Sequence, residues 1–391
     1  MRVVLSVPGV FHHFALAREL AQRGHLTRIN TTFPWSRIRR EAIPRSLVRT
    51  FPIIHPLAIA IHRKLHPPES FRSWIDTATA LSFDTFAAAT LPACDALIAL
   101  SGSGLKTGRA AQAQGSTYIC DRGSSHIRFQ MDILREEYAR WGLPVETRLS
   151  SCVAREEAEY AAADYILVPS EFSYRSFVQM GVPASKLVKA VLAADTRRFY
   201  PVDTPDEDEF TVLYVGQISF RKGLPYLIEA FSRLRHPRKR LRLIGAVEQQ
   251  MRPYLQTAPL DHVVFEGSKG IDEIRKAMSN SHVLVLPSIE DGFGMVMAEA
   301  MACGSPIISS VHTGGLDLFD DGKEGFHVPI RDPLALCTAL QRLADDPALR
   351  KEMGASALAK MQTLGGWKQY GDVVEDFLLR LKAQSQRAGP A

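Results

Sequence analysis

Short apolar runs alternate with helix-like stretches along most of the chain. Val3–Val7, Ala96–Leu100, Thr117–Cys120 and Tyr165–Val168 are continuous apolar segments, and helical spacing occupies about Phe14–Arg23, Leu105–Gln114 and Phe172–Met180. Strands buried on both faces lose the usual alternation, so this pattern predicts β-α-β units around a parallel sheet. The series restarts at Thr211–Val215 and continues through Arg242–Ile244, His262–Phe265, Val283–Leu286 and Pro306–Ser309. Helices are predicted between them over Leu224–Leu234, Ile271–Met278 and Met295–Ala302. Between the two series, residues 200–209 are polar, acidic and interrupted by Pro201 and Pro205, which marks a linker. The expected architecture is α/β: two doubly wound, Rossmann-like domains, 1–200 and 209–366, facing each other across a cleft. Ligands of such sheets bind at the carboxyl ends of the strands. Trp367, Tyr370, Val374, Phe377 and Leu381 recur at helical spacing, so a terminal amphipathic helix over 367–386 is expected to pack back on the first domain.

The length of 391 residues agrees with two cores, because single cores stop growing near about 250–300 residues. Apolar residues make up 46% and charged residues 23%, a mixture that excludes a disordered chain and a membrane-embedded one. The first apolar run closes at Pro8-Gly9, too short for a secretory leader, so a cytoplasmic location is expected. The five cysteines are scattered without a C-x-x-C pair or a histidine at ligand spacing; they read as small buried hydrophobes, and no metal is expected. Charge changes the picture more. Residues 1–200 hold 25 Lys and Arg against 17 Asp and Glu, whereas residues 201–391 hold 22 against 25. Much of the excess lies between Trp35 and Trp74, where eight cations face Glu41 and Glu69 and are interleaved with Phe51, Ile53, Leu57 and Phe71. That segment reads either as a peripheral contact with the inner, anionic face of a membrane or as a solvated basic face over ordinary helices. The run Phe51–Ile61 is too short to span a bilayer.

Two stretches carry chemistry. The first runs from Val212 to Ile228: a strand, the turn Gly216-Gln217, the cations Arg221 and Lys222, then Gly223 and a helix. Cations beside a helix N-terminus suit a diphosphate. The second, Leu286–Cys303, reads LPSIEDGFGMVMAEAMAC. It places Asp291 on a loop and Glu299 about one turn inside a helix, with Gly292, Phe293, Gly294 and Met295 opening that helix. A carboxylate at Glu299 can accept hydrogen bonds from a ribose diol, while Asp291 reaches the sugar.

The second string resembles the family 4 retaining glycosyltransferases of GT-B fold. Their E-x7-E signature, P-S-x-x-E-G-F-G-x-x-x-x-E-A-M-A-C-G-x-P-V-V, matches Pro287–Ile308 almost throughout. The likeness extends to V-G-R-x-x-x-x-K-G at Val215–Gly223, to Pro169-Ser170-Glu171-Phe172 and to Asp195–Pro201, covering about Val168–Asp332. The first 165 residues share only the architecture. The resemblance implies a metal-independent hexosyl transfer with retention from a nucleoside diphosphate sugar, UDP or GDP, to a glycan or lipid-linked acceptor. No separate cofactor and no nucleic-acid partner are expected. It gives Glu299 the ribose, Asp291 the transferred sugar and Lys222 the diphosphate. Gly267 and Ser268, at a strand end, are implied to face the base. Two departures bear on this. Gln217 replaces the usual phosphate-binding arginine, so either Arg221 supplies the charge or the donor is held more weakly. Asp291 replaces the first glutamate, and its neighbour Glu290 is a candidate for the same role.

On the acceptor side, Gly9, His12 and His13 follow the first strand, and Asp121 and Arg122 end a later one. Family members place a histidine near His126, which makes it the first candidate to touch the donor sugar, with Asp121 or Arg122 behind it. Gly102-Ser103-Gly104-Leu105-Lys106-Thr107-Gly108 imitates a dinucleotide fingerprint, but its spacing is G-x-G-x-x-x-G and it leaves Asp291, Glu299 and Lys222 unexplained. Asp206-Glu207-Asp208 imitates a metal-binding D-x-D within the linker and reads as a solvated hinge. Alternative functions consistent with these residues are a GT-B fold sugar-nucleotide epimerase or hydrolase, and a sugar-nucleotide-binding protein without transfer activity.

Overall fold

The computed structural model describes residues 1–65, 68–144 and 147–387. Seven parallel strands form the N-terminal sheet: β1 Val3–Ser6, β2 Leu26–Thr31, β3 Val48–Thr50, β4 Ala96–Leu100, β5 Thr117–Asp121, β6 Tyr165–Val168 and β7 Leu187–Lys189. Their order is β3-β2-β1-β4-β5-β6-β7. The C-terminal sheet contains β8 Phe210–Val215, β9 Lys239–Ile244, β10 Val263–Gly267, β11 Val283–Leu286, β12 Ile307–Ser310 and β13 Gly325–Val328. It runs β10-β9-β8-β11-β12-β13, again parallel. Both sheets reverse direction of winding beside their first strand, β1 against β4 and β8 against β11. Those are the topological switch points where doubly wound sheets open a crevice. The C-terminal strands there are mostly apolar and fully covered: all six residues of Phe210–Val215, Thr211 included, and all four of Val283–Leu286 are buried.

Four of these strands lie outside the apolar runs that predict the rest: β2, β3, β7 and β13. β2 reads LTRINT, and Asn30 and Thr31 are buried despite being polar. The basic Trp35–Trp74 segment folds as short turns, β3 and the start of a helical hairpin, Ile54–Leu65 followed by Glu69–Ala89. Three cysteines, Cys94, Cys120 and Cys303, are buried; Cys152 and Cys337 are only partly covered, which corrects the expectation of five core thiols. No helix among the described residues is long and apolar enough to cross a membrane.

The terminal helix Gly366–Arg387 returns across the linker and lies along the first helix, His12–Gln22. Arg23 donates to Asp372 at 2.7 Å, and His25 pairs with Glu375 at 2.9 Å. Between the domains the contacts are both aromatic and polar, with Trp141 packed on Phe220, Tyr226 and Tyr254. Glu137, fully buried in the N-terminal domain, accepts from Tyr226 at 2.9 Å and from Arg331 at 2.6 Å, both in the C-terminal domain. At Gly292 an added Cβ would fall 2.3 Å from the Gly123 carbonyl, so the two backbones touch there with no room for a side chain.

The turn after β8 is fixed by Gly223. Its φ is +70°, and a Cβ would meet the Pro287 carbonyl oxygen at 2.0 Å, so the two loops of the switch point are packed backbone to backbone. Gly223→Ala is expected to cost more than about 1 kcal/mol, because it adds a left-handed strain to a backbone collision. Urea unfolding of the purified variant measures it; an unchanged midpoint would contradict this packing.

Candidate functional site

The site grows from the two loops of the C-terminal switch point. After β8 the chain turns at Gly216, where the Tyr214 hydroxyl donates to the Gln217 carbonyl at 2.7 Å, and then presents Arg221 and Lys222 before the helix Leu224–Arg233. After β11 the chain presents Glu290 and Asp291 before Gly294, which is the N-cap of the helix Met295–Ala302. The two loops meet through two ion pairs. Lys222 Nζ donates to Asp291 Oδ2. Arg221 Nη1 donates to the Glu290 carbonyl at 3.1 Å and lies 3.3 Å from its carboxylate.

A cavity of about 390 Å³ opens at this junction. Gly216, Lys222, Asp291, Phe293, Gly294 and Met295 line its C-terminal side, and Phe11, His12, Gly123 and Trp367 close it from across the cleft. Most expected donor contacts are thereby brought to one space. Burial pulls the Lys222 ammonium below its ordinary range, with Asp291 opposing that shift. The amide groups of the helix N-terminus face a region where one fixed cation already stands, a setting suited to an anionic group.

Glu299 lies on the same helix, one turn beyond Met295 and Val296, but does not itself line this cavity. Its carboxylate accepts no hydrogen bond from any described residue. Burial pushes its carboxyl up to about 7, with Arg198 opposing. A half-buried carboxyl without a donor has free acceptor capacity that a ligand's hydroxyls could use. Gln217, Gly267 and Ser268 are exposed further along the strand ends and form no part of the cavity wall.

Two candidates have other tasks. Glu290 is fully buried and turned towards the N-terminal domain, where it accepts from Ser124 at 2.6 Å, Ser125 at 2.7 Å and Gln130 at 2.6 Å. Burial would raise its pKa, but Arg221 and these donors bring it down to about 2. With both oxygens engaged, it joins the domains and does not stand in for Asp291 at the cavity. His126 is the N-cap of the helix Ile127–Arg140, its Nδ1 accepting from the Arg128 amide at 3.2 Å. Its ring packs 5.0 Å from both Tyr160 and Phe177, and burial lowers its pKa to about 4. The histidine that does line the cavity is His12. Arg122 braces the Ser124-Ser125 loop, donating to Ser125 at 3.0 Å and Gln130 at 2.9 Å.

His12 Nε2 lies 2.9 Å from Asp121 Oδ2, and His13 Nε2 lies 3.1 Å from the same oxygen. Burial would raise the Asp121 pKa, but the two imidazoles hold it well below the carboxylate range. Donor atoms of the three residues lie within 4.8 Å of one another, so they have the composition of a transition-metal site. Their second sphere fits a metal poorly: His13 Nδ1 is buried without a partner, whereas a ligating histidine normally donates its other nitrogen. His12 hydrogen-bonds to Asp121, whereas His13 stands at ion-pair distance from it with neither ring nitrogen hydrogen-bonded.

The dinucleotide-like string is filled from within. Glu159 accepts from the Gly102 and Gly104 amides, the latter at 2.9 Å, and Asp84 accepts from those of Lys106 and Thr107 at 2.9 Å each. The helix N-terminus that a phosphate would need already holds two carboxylates. In the linker, Glu207 pairs with Lys351 at 2.8 Å and Asp208 with Arg238 at 2.9 Å.

Residues 196–360 match the family of glycosyl transferases group 1. The match contains both switch-point loops, Glu299 and nearly the whole C-terminal domain. Among curated proteins, an uncharacterized glycosyltransferase of Methanocaldococcus jannaschii is 31% identical over 150 residues, 37% of this chain and 38% of that protein. A D-inositol 3-phosphate glycosyltransferase of an Arthrobacter species is 29% identical over 216 residues, 53% of this chain and 45% of its own. The chain spans about half the length of the curated relatives it matches. Among solved structures, sucrose-phosphate synthase from Thermosynechococcus elongatus superposes with a TM-score of 0.72 at 21% identity, over 98% of this chain and 100% of that one. Anabaena HepE in complex with UDP and glucose gives 0.68 at 16% identity, over 97% and 100%. These likenesses establish the GT-B fold for the whole described chain.

Several residues at the cavity lay outside the sequence reading. Phe11, Trp367, Gly123 and Leu192 line it from separate parts of the chain, and Ser124, Ser125 and Gln130 hold Glu290. Phe11 and Gly123-Ser124-Ser125 carried a signal, as members of the loops after two N-terminal strands that are expected at the cleft.

Proposed function

We propose that the chain transfers a sugar from a nucleoside diphosphate sugar to an acceptor hydroxyl, with retention at the anomeric carbon and without a metal. One observation carries this reading: Lys222 and Asp291, 69 residues apart, meet at a cavity on the N-terminus of the helix that bears Glu299. The diphosphate takes the Lys222 end, the sugar lies against Asp291 and His12, and the ribose reaches Glu299. In the transfer, the bond from the anomeric carbon to the β-phosphate oxygen breaks and a bond to the acceptor oxygen forms. The acceptor proton passes to the departing phosphate. Lys222 and the helix amides stabilise the charge that grows on that phosphate by preorganised electrostatics. Calorimetric titration with UDP, GDP and ADP tests the donor site. UDP is the first choice because HepE, of the same fold, holds it. Donor consumption that proceeds equally without acceptor would favour an epimerase or hydrolase instead.

Gln217 and the engagement of Arg221 with Glu290 favour a second reading, a donor-binding protein with weak turnover. Product analysis with a panel of acceptors separates the two. The Glu299 assignment also predicts a pH dependence. A ribose diol donates to the ionised carboxylate, and burial sets this carboxyl at about 7. Affinity for a nucleoside diphosphate sugar, whose diphosphate does not titrate there, is expected to fall below that pH by up to about tenfold per unit. Glu299→Gln should flatten the profile; an unchanged slope would remove Glu299 from the ribose.

A further inference from the structure

The hairpin formed by the helices Ile54–Leu65 and Glu69–Ala89 exposes apolar residues in rows. Ile53, Leu57 and Leu65 fall at multiples of four along the first helix and its lead-in, and Phe71, Trp74 and Leu81 share one face of the second. Leu57 is 60% exposed and Trp74 65%. The Phe71 and Trp74 rings stack with centroids 5.8 Å apart. Single exposed apolar side chains are ordinary, but aligned rows on two adjoining helices make a patch that water does not favour. Arginines flank it. Arg37 stands 4.0 Å over the Phe33 ring, which packs against His55 of the first helix, and Arg49 stands over Phe86 of the second. Arg39, Arg40 and Arg45 are exposed in the same segment. The nearby Glu41 is paired with Arg18 at 3.5 Å.

Behind the hairpin lies a cavity of about 660 Å³. Ser73, Asp76, Thr77 and Leu81 form one wall, and Gly9 and Phe11 from the loop after β1 form another. Leu81 therefore belongs both to the exposed row and to the cavity. Phe11 lines this cavity and also the donor-side one. An apolar, cation-flanked surface thus adjoins, at Leu81, a chamber lined by hydroxyls, three carboxylates and two cations, and Phe11 forms the wall shared by that chamber and the donor-side cavity.

We propose that the hairpin docks on an anionic lipid bilayer and that the acceptor is an amphiphile of that bilayer. Its polar head occupies the chamber and its apolar tail leaves along the Leu81 side. The membrane part stands on its own; the acceptor part rests on the transfer reading above. Charge complementarity selects the bilayer as occupant, since each arginine near an anionic surface is worth about fivefold in partitioning. The full chain is expected to co-sediment with vesicles enriched in phosphatidylglycerol and to remain in solution with pure phosphatidylcholine. Leu57→Glu with Trp74→Glu, both at exposed positions, should weaken sedimentation more than tenfold while UDP binding, measured on the same preparation, stays within twofold. Replacing Arg37, Arg39 and Arg40 by Ser should remove the preference for anionic lipid. Wild-type protein that binds UDP yet ignores both vesicles overturns the proposal, as does binding unaffected by the double variant. A dimer that the double variant dissociates would assign the patch to a second copy and overturn it too. Loss of UDP binding by the wild type would instead overturn the donor site, whatever the vesicles do.

Discussion

Lys222→Ala is expected to lower kcat for sugar transfer by about two to three orders of magnitude, the usual cost of removing a preorganised charge from a developing anion. The size follows from what remains. Gln217 is neutral and exposed, and Arg221 is committed to Glu290. Among the described residues lining the donor cavity, Lys222 alone carries a fixed positive charge. Truncating it also leaves Asp291 facing the diphosphate without its partner, so donor affinity should fall along with kcat. Lys222→Arg should recover part of the loss, because charge is restored but the compact ammonium geometry is not. Thermal unfolding measured beside the kinetics separates chemistry from folding. A Lys222→Ala enzyme within threefold of wild type would remove the phosphate role from this residue.

Glu290→Ala should destabilise the protein by about 3 kcal/mol, through the junction of the domains and not through either core. The carboxylate is fully buried and gathers donors from Ser124, Ser125 and Gln130, with Arg221 on its other side. Removing one member of a buried charged network strands the others, which is why such deletions cost more than the network contributes. Differential scanning calorimetry should register a fall of about 6 to 12 °C in the transition that contains the interface. The pH sign is fixed by the depressed pKa. The stabilisation is complete above the ordinary carboxyl value near 4.5 and fades as pH falls towards about 2. The difference between wild type and Glu290→Gln should therefore narrow across that acid range. A constant difference would mean that Glu290 is not held as a carboxylate.

The two loops of the candidate donor site were legible because each is contiguous in the chain. Gly216 to Gly223 and Pro287 to Glu299 each carry glycines, charges and a helix start at short spacing, which suits an anion, and the resemblance to family 4 glycosyltransferases implies the roles of Lys222, Asp291 and Glu299. The two doubly wound sheets were legible for a similar reason, since β1, β4, β8 and β11 are short, predominantly apolar runs. β2 was not, because LTRINT buries Asn30 and Thr31 and looks like a surface segment until its neighbours are known. Long-range pairings were equally hidden. Nothing near Glu290 announces that Ser125, 165 residues earlier, will donate to it. His126 was the first candidate for the sugar and His12 an acceptor-side residue; the packing of Tyr160 and Phe177 around the first, and the opening of a cavity beside the second, were not readable from the chain.

The meeting of Gly292 with Gly123 has a consequence for how the lobes separate. The neighbouring atoms across that seam are hydroxyls, amides and carbonyls, among them Ser170 and Ser173 donating to the Gly292 carbonyl at 2.5 and 3.1 Å. Groups of this kind exchange one another for solvent at small net cost. Away from that seam the lobes are joined by aromatic packing, Tyr138 and Trp141 of the first domain against Phe220, Tyr226 and Tyr254 of the second, so easy re-wetting is confined to the Gly292 side and full parting would bare apolar rings.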